Sequence, residues 1–512
     1  GITIWRTEHY PPSDNLHTQD ADWNKQLPVV RGLRDKAQQH GVDLKFIYTV
    51  WSPPASMKVA ISDNIERMIG VPHPEGTKGG GALDPTKYNQ FADFLKQGVA
   101  RFAAEGIDLY ALSPQNEPYF NHYFNSCFYK QEWYPEMLVN VIPQVKATYP
   151  GVRIFGSENL LDMEAADHNW QWFYHKQILD NPQAANAVDI LAVHAYTDGV
   201  APSTGSLLGQ YWENHKNIFA EPMSKPQWMT ETSGYVSTWE ESYYEPDDDV
   251  KPGAFQIAID MMSALNIGNV HAWVWWQGSE NPGSGGTIGP AVLMNGLNVG
   301  KKYYVSKQFY RFIRPGAVRI SATSNNSNVF ASAYEHTENG THTIVLINIA
   351  ETTQNVTVGG AGLPTSFAIF RTTSPDASDD NCENIGTYTT GTSLSMPGRS
   401  IVTLQAGGTP LATAMNGAGA RKADVFYTKE KSEVHVYPNS VKNEPLTIEL
   451  SGTSRKAPAK IELRDVSGNT VRSFKAESEK LEISRGELPA PGVYILSVDT
   501  GTGIEQFKIL IE

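Results

Sequence analysis

Two glutamates stand where a short apolar run gives way to polar text. Glu117 closes the stretch Leu109-Tyr110-Ala111-Leu112-Ser113-Pro114-Gln115-Asn116-Glu117-Pro118, and Glu231 closes Gln227-Trp228-Met229-Thr230-Glu231-Thr232. Two carboxyl groups across a sugar-sized gap are what cleavage of a glycosidic bond requires. One protonates the leaving oxygen, and the other attacks the anomeric carbon or activates a water. The acid must keep its proton near neutral pH, which an ionised partner and burial against aromatic rings supply. An arbitrary strand-end glutamate is usually an ion-pair partner and nothing more. The Asn116-Glu117-Pro118 tripeptide after an apolar run points the other way.

Other side chains fit the same chemistry. Arg6 ends the first apolar run, and a cation there would keep Glu231 ionised. His194 and Tyr196 end the run that precedes that of Glu231 and are placed to orient it, with packing at the mouth as the plain alternative. Trp51 and Trp276 follow strand-like runs, where flat amphipathic rings serve as platforms for sugar faces. There is no His-Glu-x-x-His motif and no clustered His/Asp set in the sequence, so neither a metal nor a cofactor is expected.

Such groups need a scaffold that brings distant residues to one place. Up to about residue 300 the chain repeats one rhythm, a short apolar strand followed by a longer amphipathic helix. The pattern predicts strands at 2–7, 44–50, 109–112, 153–156, 190–194, 227–230 and 270–275, and helices at 25–40, 85–105, 134–149, 170–181 and 253–265. Strands alternating with helices imply a parallel sheet. Seven unbroken units, with no glycine-rich phosphate loop after the first strand, favour a β/α barrel over an open doubly wound sheet. In a barrel the C-terminal strand ends converge, which sets Glu117 and Glu231 on facing arcs of one mouth.

Beyond residue 303 the segments become short, β-branched and separated by Gly, Asn, Ser and Asp, the pattern of an antiparallel β-sandwich. A run of small residues then leads to a second all-β unit. The expected division is a catalytic barrel at 1–302, a side sandwich at 303–406, a linker at 407–423 and a C-terminal β-sandwich at 424–512. Three such units suit 512 residues of which 40% are hydrophobic. No run of about 18 apolar residues occurs, which argues against a membrane-spanning helix. A net charge of −14 makes the chain a poor partner for nucleic acid. Cys127 and Cys382 are the only cysteines and read as two free thiols.

The chain resembles glycoside hydrolase family 30 of the retaining clan A enzymes. The resemblance is carried by Trp51-Ser52-Pro53-Pro54-Ala55-Ser56-Met57-Lys58, Gln115-Asn116-Glu117-Pro118, His194-Ala195-Tyr196, Trp228-Met229-Thr230-Glu231, Trp273-Val274-Trp275-Trp276-Gln277 and Gln308-Phe309-Tyr310-Arg311-Phe312-Ile313-Arg314-Pro315-Gly316. It covers roughly residues 1–406 and implies an α/β fold, a (β/α)8-type TIM barrel with a β-sandwich side domain. It also implies Glu117 as acid/base, Glu231 as nucleophile and Asn116 as the holder of the sugar 2-hydroxyl. The implied activity is retaining endo-cleavage of a neutral β-linked polysaccharide, xylan first, with β-1,6-glucan or β-1,6-galactan as alternatives. A non-catalytic surface glycan-binding protein is the alternative of another class.

Members of that family that cleave glucuronoxylan carry basic residues after the last strand, to grip a glucuronate carboxylate. Here that place reads Gln277-Gly278-Ser279-Glu280-Asn281-Pro282-Gly283-Ser284-Gly285-Gly286, with no Arg or Lys. The loop after Glu231 carries Glu240-Glu241 and Asp247-Asp248-Asp249; it reads as solvated, and beside a cleft it would repel acidic glycans. The stretch 71–83, with Gly79-Gly80-Gly81, is a candidate subsite element.

The last segment resembles the C-terminal sorting domain of the type IX secretion system of Bacteroidetes, through Val436-Tyr437-Pro438-Asn439-Ser440, Leu463-Arg464-Asp465-Val466-Ser467-Gly468 and Pro489-Ala490-Pro491-Gly492-Val493-Tyr494-Ile495-Leu496. It has no Trp, unlike a sugar-binding sandwich with exposed aromatics. The resemblance implies a bacterial protein that the type IX machinery exports to the surface or the medium; a monomer is expected. The first strand matches the family's second, seven units stand where the family has eight, and no signal peptide opens the chain. These features predict an N-terminally shortened chain with an open seam beside residues 2–7.

Overall fold

The computed structural model describes residues 3–9, 19–61, 76–120, 125–165, 174–196, 206–244, 249–280, 289, 291–295, 298–407, 434–437, 440–442, 445–450, 458–465, 470–499 and 504–511, a few of them by backbone alone. They form two compact units, 1–410 and 411–512.

The first unit is built on seven strands: β1 (Ile4–His9), β2 (Lys45–Val50), β3 (Ala111–Ser113), β4 (Arg153–Leu160), β5 (Ile190–His194), β6 (Gln227–Glu231) and β7 (Ala272–Trp273). They lie side by side in chain order, and each neighbouring pair is parallel. Alternation along each strand divides the side chains between two cores. Ile47, Ala111, Phe155, Ile190, Trp228 and Ala272 pack together inside the curve of the sheet. Phe46, Tyr48 and Val50 point the other way, into the core they share with helices α2 (Tyr88–Ala104) and α3 (Trp133–Thr148), which follow α1 (Gln19–Gln39). Gly98 lets α2 approach, since a Cβ there would sit 2.9 Å from the Tyr48 ring. The Tyr48 hydroxyl donates to the Leu95 carbonyl at 2.6 Å.

The differences from the sequence pattern have physical causes. β1 runs on to His9, because the His9 ring packs against Tyr48 and Phe94 on the helix side. Arg6 therefore does not end the strand; it lies within it, opposite Ile47 and on the inner face. β4 runs to Leu160, past its expected end at Gly156, and β7 shrinks to Ala272–Trp273. The helix expected at 170–181 spans Tyr174–Asp180, its first four residues lying outside the described ones. Residues 71–75, 245–248 and 281–286 of the stretches singled out above also lie outside them.

The outermost strands are β1 and β7, and no pairing joins them among the described residues. Among the described residues the space between these two strands is bridged by no strand. It holds a cavity of about 1080 Å³ lined by Ile4, Trp228, Trp273, Phe309 and Ile313 among others.

Two further barrel helices, α4 (Leu207–His215) and α5 (Ala254–Asn266), precede α6 (Lys301–Tyr310). The side sandwich follows, with β8 (Val318–Ile320), β9 (Val329–His336), β10 (Thr341–Asn348), β11 (Gln354–Thr357), β12 (Ser366–Thr372), β13 (Asn381–Thr389), β14 (Ser393–Met396) and β15 (Ser400–Gly407). Its larger sheet has the antiparallel order β8-β9-β10-β15-β12-β13, and β11 pairs with β14. One core crosses from barrel to sandwich: Ile257 and Met261 of α5, Val305 and Phe309 of α6, and Val345 and Ile347 of β10. The acidic loop is tied down at the same boundary. Glu240 meets Arg399 at 3.2 Å, and Trp239 Nε1 donates to the Arg399 carbonyl at 3.0 Å. Cys127 and Cys382 are free and buried.

The second unit holds a three-stranded and a five-stranded sheet around Ile448, Ile461, Leu463, Leu496, Val498 and Ile509. Besides the four strands expected near Val434, Leu446, Lys460 and Gly492, it contains Ser440–Val441, Thr470–Ala476, Lys480–Ile483 and Ile504–Ile511. Residues 408–433, which include nearly all the expected linker, lie outside the described ones. Among the described residues no helix is long and apolar enough to cross a membrane.

Candidate active site

Local backbone devices aim the carboxylates. The loop after β3 is pinned to the end of β2: Asn116 N donates to the Val50 carbonyl at 2.7 Å, and Gln115 Nε2 donates to the Trp51 carbonyl at 2.8 Å. That pinning holds Glu117 in the left-handed region, at φ 40°. Pairing of β4 with β5 skips Glu158, and pairing of β5 with β6 skips Thr230. Each skipped residue is a bulge, which re-aims the side chains around it. Glu158, at φ 59°, is thereby turned into the barrel, and Glu231 ends β6 facing it.

The side chains close into one network. Arg6 Nη1 donates to Glu231 Oε2 at 2.6 Å, and Nη2 donates to Asn116 Oδ1 at 2.6 Å. The Tyr196 hydroxyl donates to the other Glu231 oxygen, Oε1, at 2.6 Å. His194 Nδ1 donates to Glu117 Oε1 at 2.9 Å and lies 3.8 Å from Glu231 Oε1. One oxygen of Glu117, one of Glu231 and a nitrogen of His194 all lie within 4.8 Å of one another. Trp51 and Trp276 stack on each other with centroids 5.4 Å apart, forming one composite aromatic wall, and the Arg6 guanidinium lies 6.0 Å from the Trp276 ring. All eight expected site residues are therefore brought together. The large seam cavity reaches this place only at its edge, through Arg6 and Trp276; Glu117, Glu231 and His194 do not line it.

A third carboxylate sits below them. Glu158 is fully buried, with Oε1 3.1 Å from Arg6 Nη2 and 3.6 Å from His194 Nε2, and Oε2 accepting from the Thr49 hydroxyl. Burial opposes its charge, but Arg6, His194 and Thr49 outweigh burial and hold its pKa down at about 2. Burial likewise opposes the charge on Arg6, and Glu158 and Glu231 overcome it. His194 behaves in the same way: burial works against the imidazolium, yet Glu231, Glu117 and Glu158 hold its pKa up to about 9. Burial and the neighbouring Glu231 push the Tyr196 phenol far above its usual range, so it stays a donor.

Glu117, His194 and Glu231 offer three donor atoms that a cation could share. Positive charge is already supplied there by the protein, through Arg6 on Glu231 and His194 on Glu117. The arrangement is a pair of carboxylates with separately organised partners, one held by Arg6 and Tyr196, the other by His194. Glu158 escapes the sequence pattern because the expected end of β4 at Gly156 leaves it in a loop, and Thr49 because it lies inside an expected strand with nothing to mark its partner. The Ser157-Glu158-Asn159 run directly after that apolar strand was the available signal.

Comparison with known proteins identifies the domains that carry these residues. The glycosyl hydrolase family 30 TIM-barrel domain matches residues 12–277, the glycosyl hydrolase family 30 beta sandwich domain matches 316–404, and a secretion system C-terminal sorting domain matches 435–512. The last marks the protein for export to the bacterial surface or medium. The chain is similar to the glucuronoxylanase XynC of Bacillus subtilis, 25% identical over 341 residues that make up 65% of either chain. It is also similar to the endo-1,6-beta-D-glucanase neg1 of Aspergillus fumigatus, 24% identical over 345 residues, 65% of this chain and 63% of that one. The chain thus spans just under two thirds of the length of these curated relatives. Among solved structures, the family 30 subfamily 8 xylanase Xyn30A of Clostridium acetobutylicum superposes with a TM-score of 0.58 at 23% identity, covering 80% of this chain and 89% of that one. With the barrel match alone covering more than half of its length, the chain belongs to glycosyl hydrolase family 30.

Proposed function

We propose that the protein is a retaining endo-glycoside hydrolase acting on a neutral β-linked polysaccharide of the xylan type, with Glu117 as acid/base and Glu231 as nucleophile. The observation that carries this is the approach of Glu117 and Glu231 oxygens to within 4.8 Å. Retaining enzymes hold their carboxyl groups about 5–5.5 Å apart, whereas inversion needs about 6.5–9.5 Å to admit a water. Glu231, held by Arg6 and Tyr196, attacks the anomeric carbon while Glu117 gives its proton to the departing glycosidic oxygen. A water then loses a proton to Glu117 and its hydroxide part displaces Glu231, which restores both groups. Asn116 is engaged with Arg6 through Oδ1; its amide N–H groups are the donors assigned to the sugar 2-hydroxyl. The Trp51–Trp276 wall is assigned to a sugar face.

A neutral substrate is supported by the lack of Arg and Lys from Gln277 to Gly286. A xylan-type backbone is supported by the relatives named xylanase, and a β-1,6-glucan by the Aspergillus relative. The test is product sizing on xylan, glucuronoxylan, β-1,6-glucan and β-1,6-galactan. Glu231→Ala should lower kcat more than about 10⁴-fold. Glu117→Gln should cost about 10²–10⁴-fold on the polysaccharide and far less on a nitrophenyl glycoside, whose leaving group needs little protonation. Full activity of Glu231→Ala would end the assignment, and release from none of the four glycans would favour a glycan-binding protein.

A further inference from the structure

The double displacement uses two carboxylates, yet the site is built around three. Glu158 touches neither the reacting atoms nor solvent, and its neighbours explain its presence. Through Oε1 it meets Arg6, which serves Glu231 and Asn116, and His194, which serves Glu117. Its other oxygen is fixed by Thr49. One buried side chain is therefore the shared anchor of the nucleophile arm and the acid/base arm. We propose that Glu158 is a positioning residue that fixes Arg6 and His194 together and, through its charge on the Nε2 side, retains in the site the proton that His194 shares with Glu117. This rests on the roles given above to Glu117 and Glu231.

The proton inventory makes the idea concrete. His194 Nδ1 and Glu117 Oε1, 2.9 Å apart, hold one proton between them. A carboxylate 3.6 Å from Nε2 stabilises positive charge on the ring, so the single proton of the pair stays in the site until it passes from Nδ1 to Glu117 and on to the leaving oxygen, which leaves the ring neutral and Glu117 a carboxylate. The proton removed from water in the second half-reaction refills the pair, and the cycle balances. The groups facing the imidazole are Glu117 from the loop after β3, Glu158 from β4, Glu231 from β6 and the Tyr196 ring. Arg6 from β1 meets the same Glu158 oxygen as His194, and the Tyr134 phenol from α3 adds to the electrostatics at Glu158. The elevated pKa of His194 agrees with the carboxylates outweighing burial and these other neighbours.

Two variants separate charge from reach. Glu158→Gln keeps the shape and removes the charge. The basic limb of its kcat/KM profile should move to lower pH by about one unit, with kcat down about 10–100-fold and KM within about 3-fold. Glu158→Asp keeps the charge and withdraws it by one methylene, so kcat should fall while the limb stays in place. The direct readout is the His194 imidazole titration by NMR, assigned with His194→Gln, whose midpoint should fall in Glu158→Gln. An unmoved limb together with an unmoved midpoint would overturn the proposal. Should Glu158→Gln not fold, Glu158→Asp still decides: kcat within about 2-fold of the parent rejects the positioning role. If the parent cleaves no glycan, the catalytic roles fail, but the imidazole titration still tests Glu158.

Discussion

Strand β4 carries two buried polar clusters on opposite sides, and they solve the same problem in opposite ways. On the barrel side Glu158 joins Arg6 and His194 in a cluster whose members keep their charges by facing one another. On the outer side, Ser157 N donates to His175 Nε2 at 2.9 Å, His175 Nδ1 meets His215 Nε2 at 2.7 Å, and His215 Nδ1 meets Gln227 Oε1 at 2.5 Å. Those three links work with both rings neutral and a proton on each Nδ1, while a proton on His175 Nε2 would instead serve the Gly156 carbonyl 3.0 Å away. Burial pushes His175 well down and His215 to about 4. Glu164, at the same end of the strand, accepts from Asn159, Tyr174 N and His175 N, yet burial without a cation raises its pKa from 4.5 to about 7. Equal burial thus yields charged groups where counter-ions are built in and neutral ones where they are not.

The contrast breaks most visibly when a charge is taken from the mouth. Arg6→Met leaves Glu158 and Glu231 buried without their cation. It should destabilise the first unit by about 3–5 kcal/mol and abolish detectable cleavage. His215→Gln removes no charge; it should cost about 1–3 kcal/mol and leave kcat/KM within about 2-fold. Chemical unfolding and initial rates compare the two, and a milder effect from Arg6→Met would erase the distinction.

The pH dependence of stability should separate the clusters next. The carboxyl of folded Glu164 holds its proton to about 7, so its contribution is complete below pH 4.5 and is lost as pH rises to 7. His194 contributes fully below its ordinary 6.5, and that contribution is lost as pH rises through 9. The destabilisation caused by Glu164→Gln should therefore shrink between pH 5 and 8, and that of His194→Gln between pH 6 and 9.5, each by on the order of 2–3 kcal/mol. Melting curves that differ from the parent by the same amount at both ends of each window would contradict this. The smallest effect belongs to a charge at neither site. Glu240→Gln cuts an exposed pair with Arg399 and should change stability by less than about 1 kcal/mol.

What was legible in the sequence was whatever a period of two or of 3.6 encodes. The seven strands of the barrel sheet, five of its helices though not Leu207–His215, and the placing of Glu231 at a strand end and Glu117 shortly after one followed from apolar runs and their breaks. Glu158 was hidden because a bulge breaks the alternation at that residue, and the text past Gly156 reads as loop. Arg6 reads as the end of the first apolar run because polar residues follow it; the Phe94 and Tyr48 rings packed against His9 explain why the strand continues. The histidine chain left no trace, since His175 and His215 are 40 residues apart and meet only through packing of the elements that carry them.

The backbone at the two glutamates proposed as catalytic also sets how each is best engineered. Glu117 sits in a left-handed conformation that costs a non-glycine residue about 1 kcal/mol or more, and Glu231 sits on ordinary strand backbone. Trimming Glu117 to glycine would relax the loop as well as delete the carboxyl, so two changes would arrive together. Trimming Glu231 to glycine, alanine or serine removes the side chain from a position that is not in the left-handed region, so no such conformational cost is released with it. With the roles proposed for the two glutamates, position 231 is therefore the cleaner handle for converting this hydrolase into a catalyst that joins activated sugars, with the loop that carries Glu117 left as evolution shaped it.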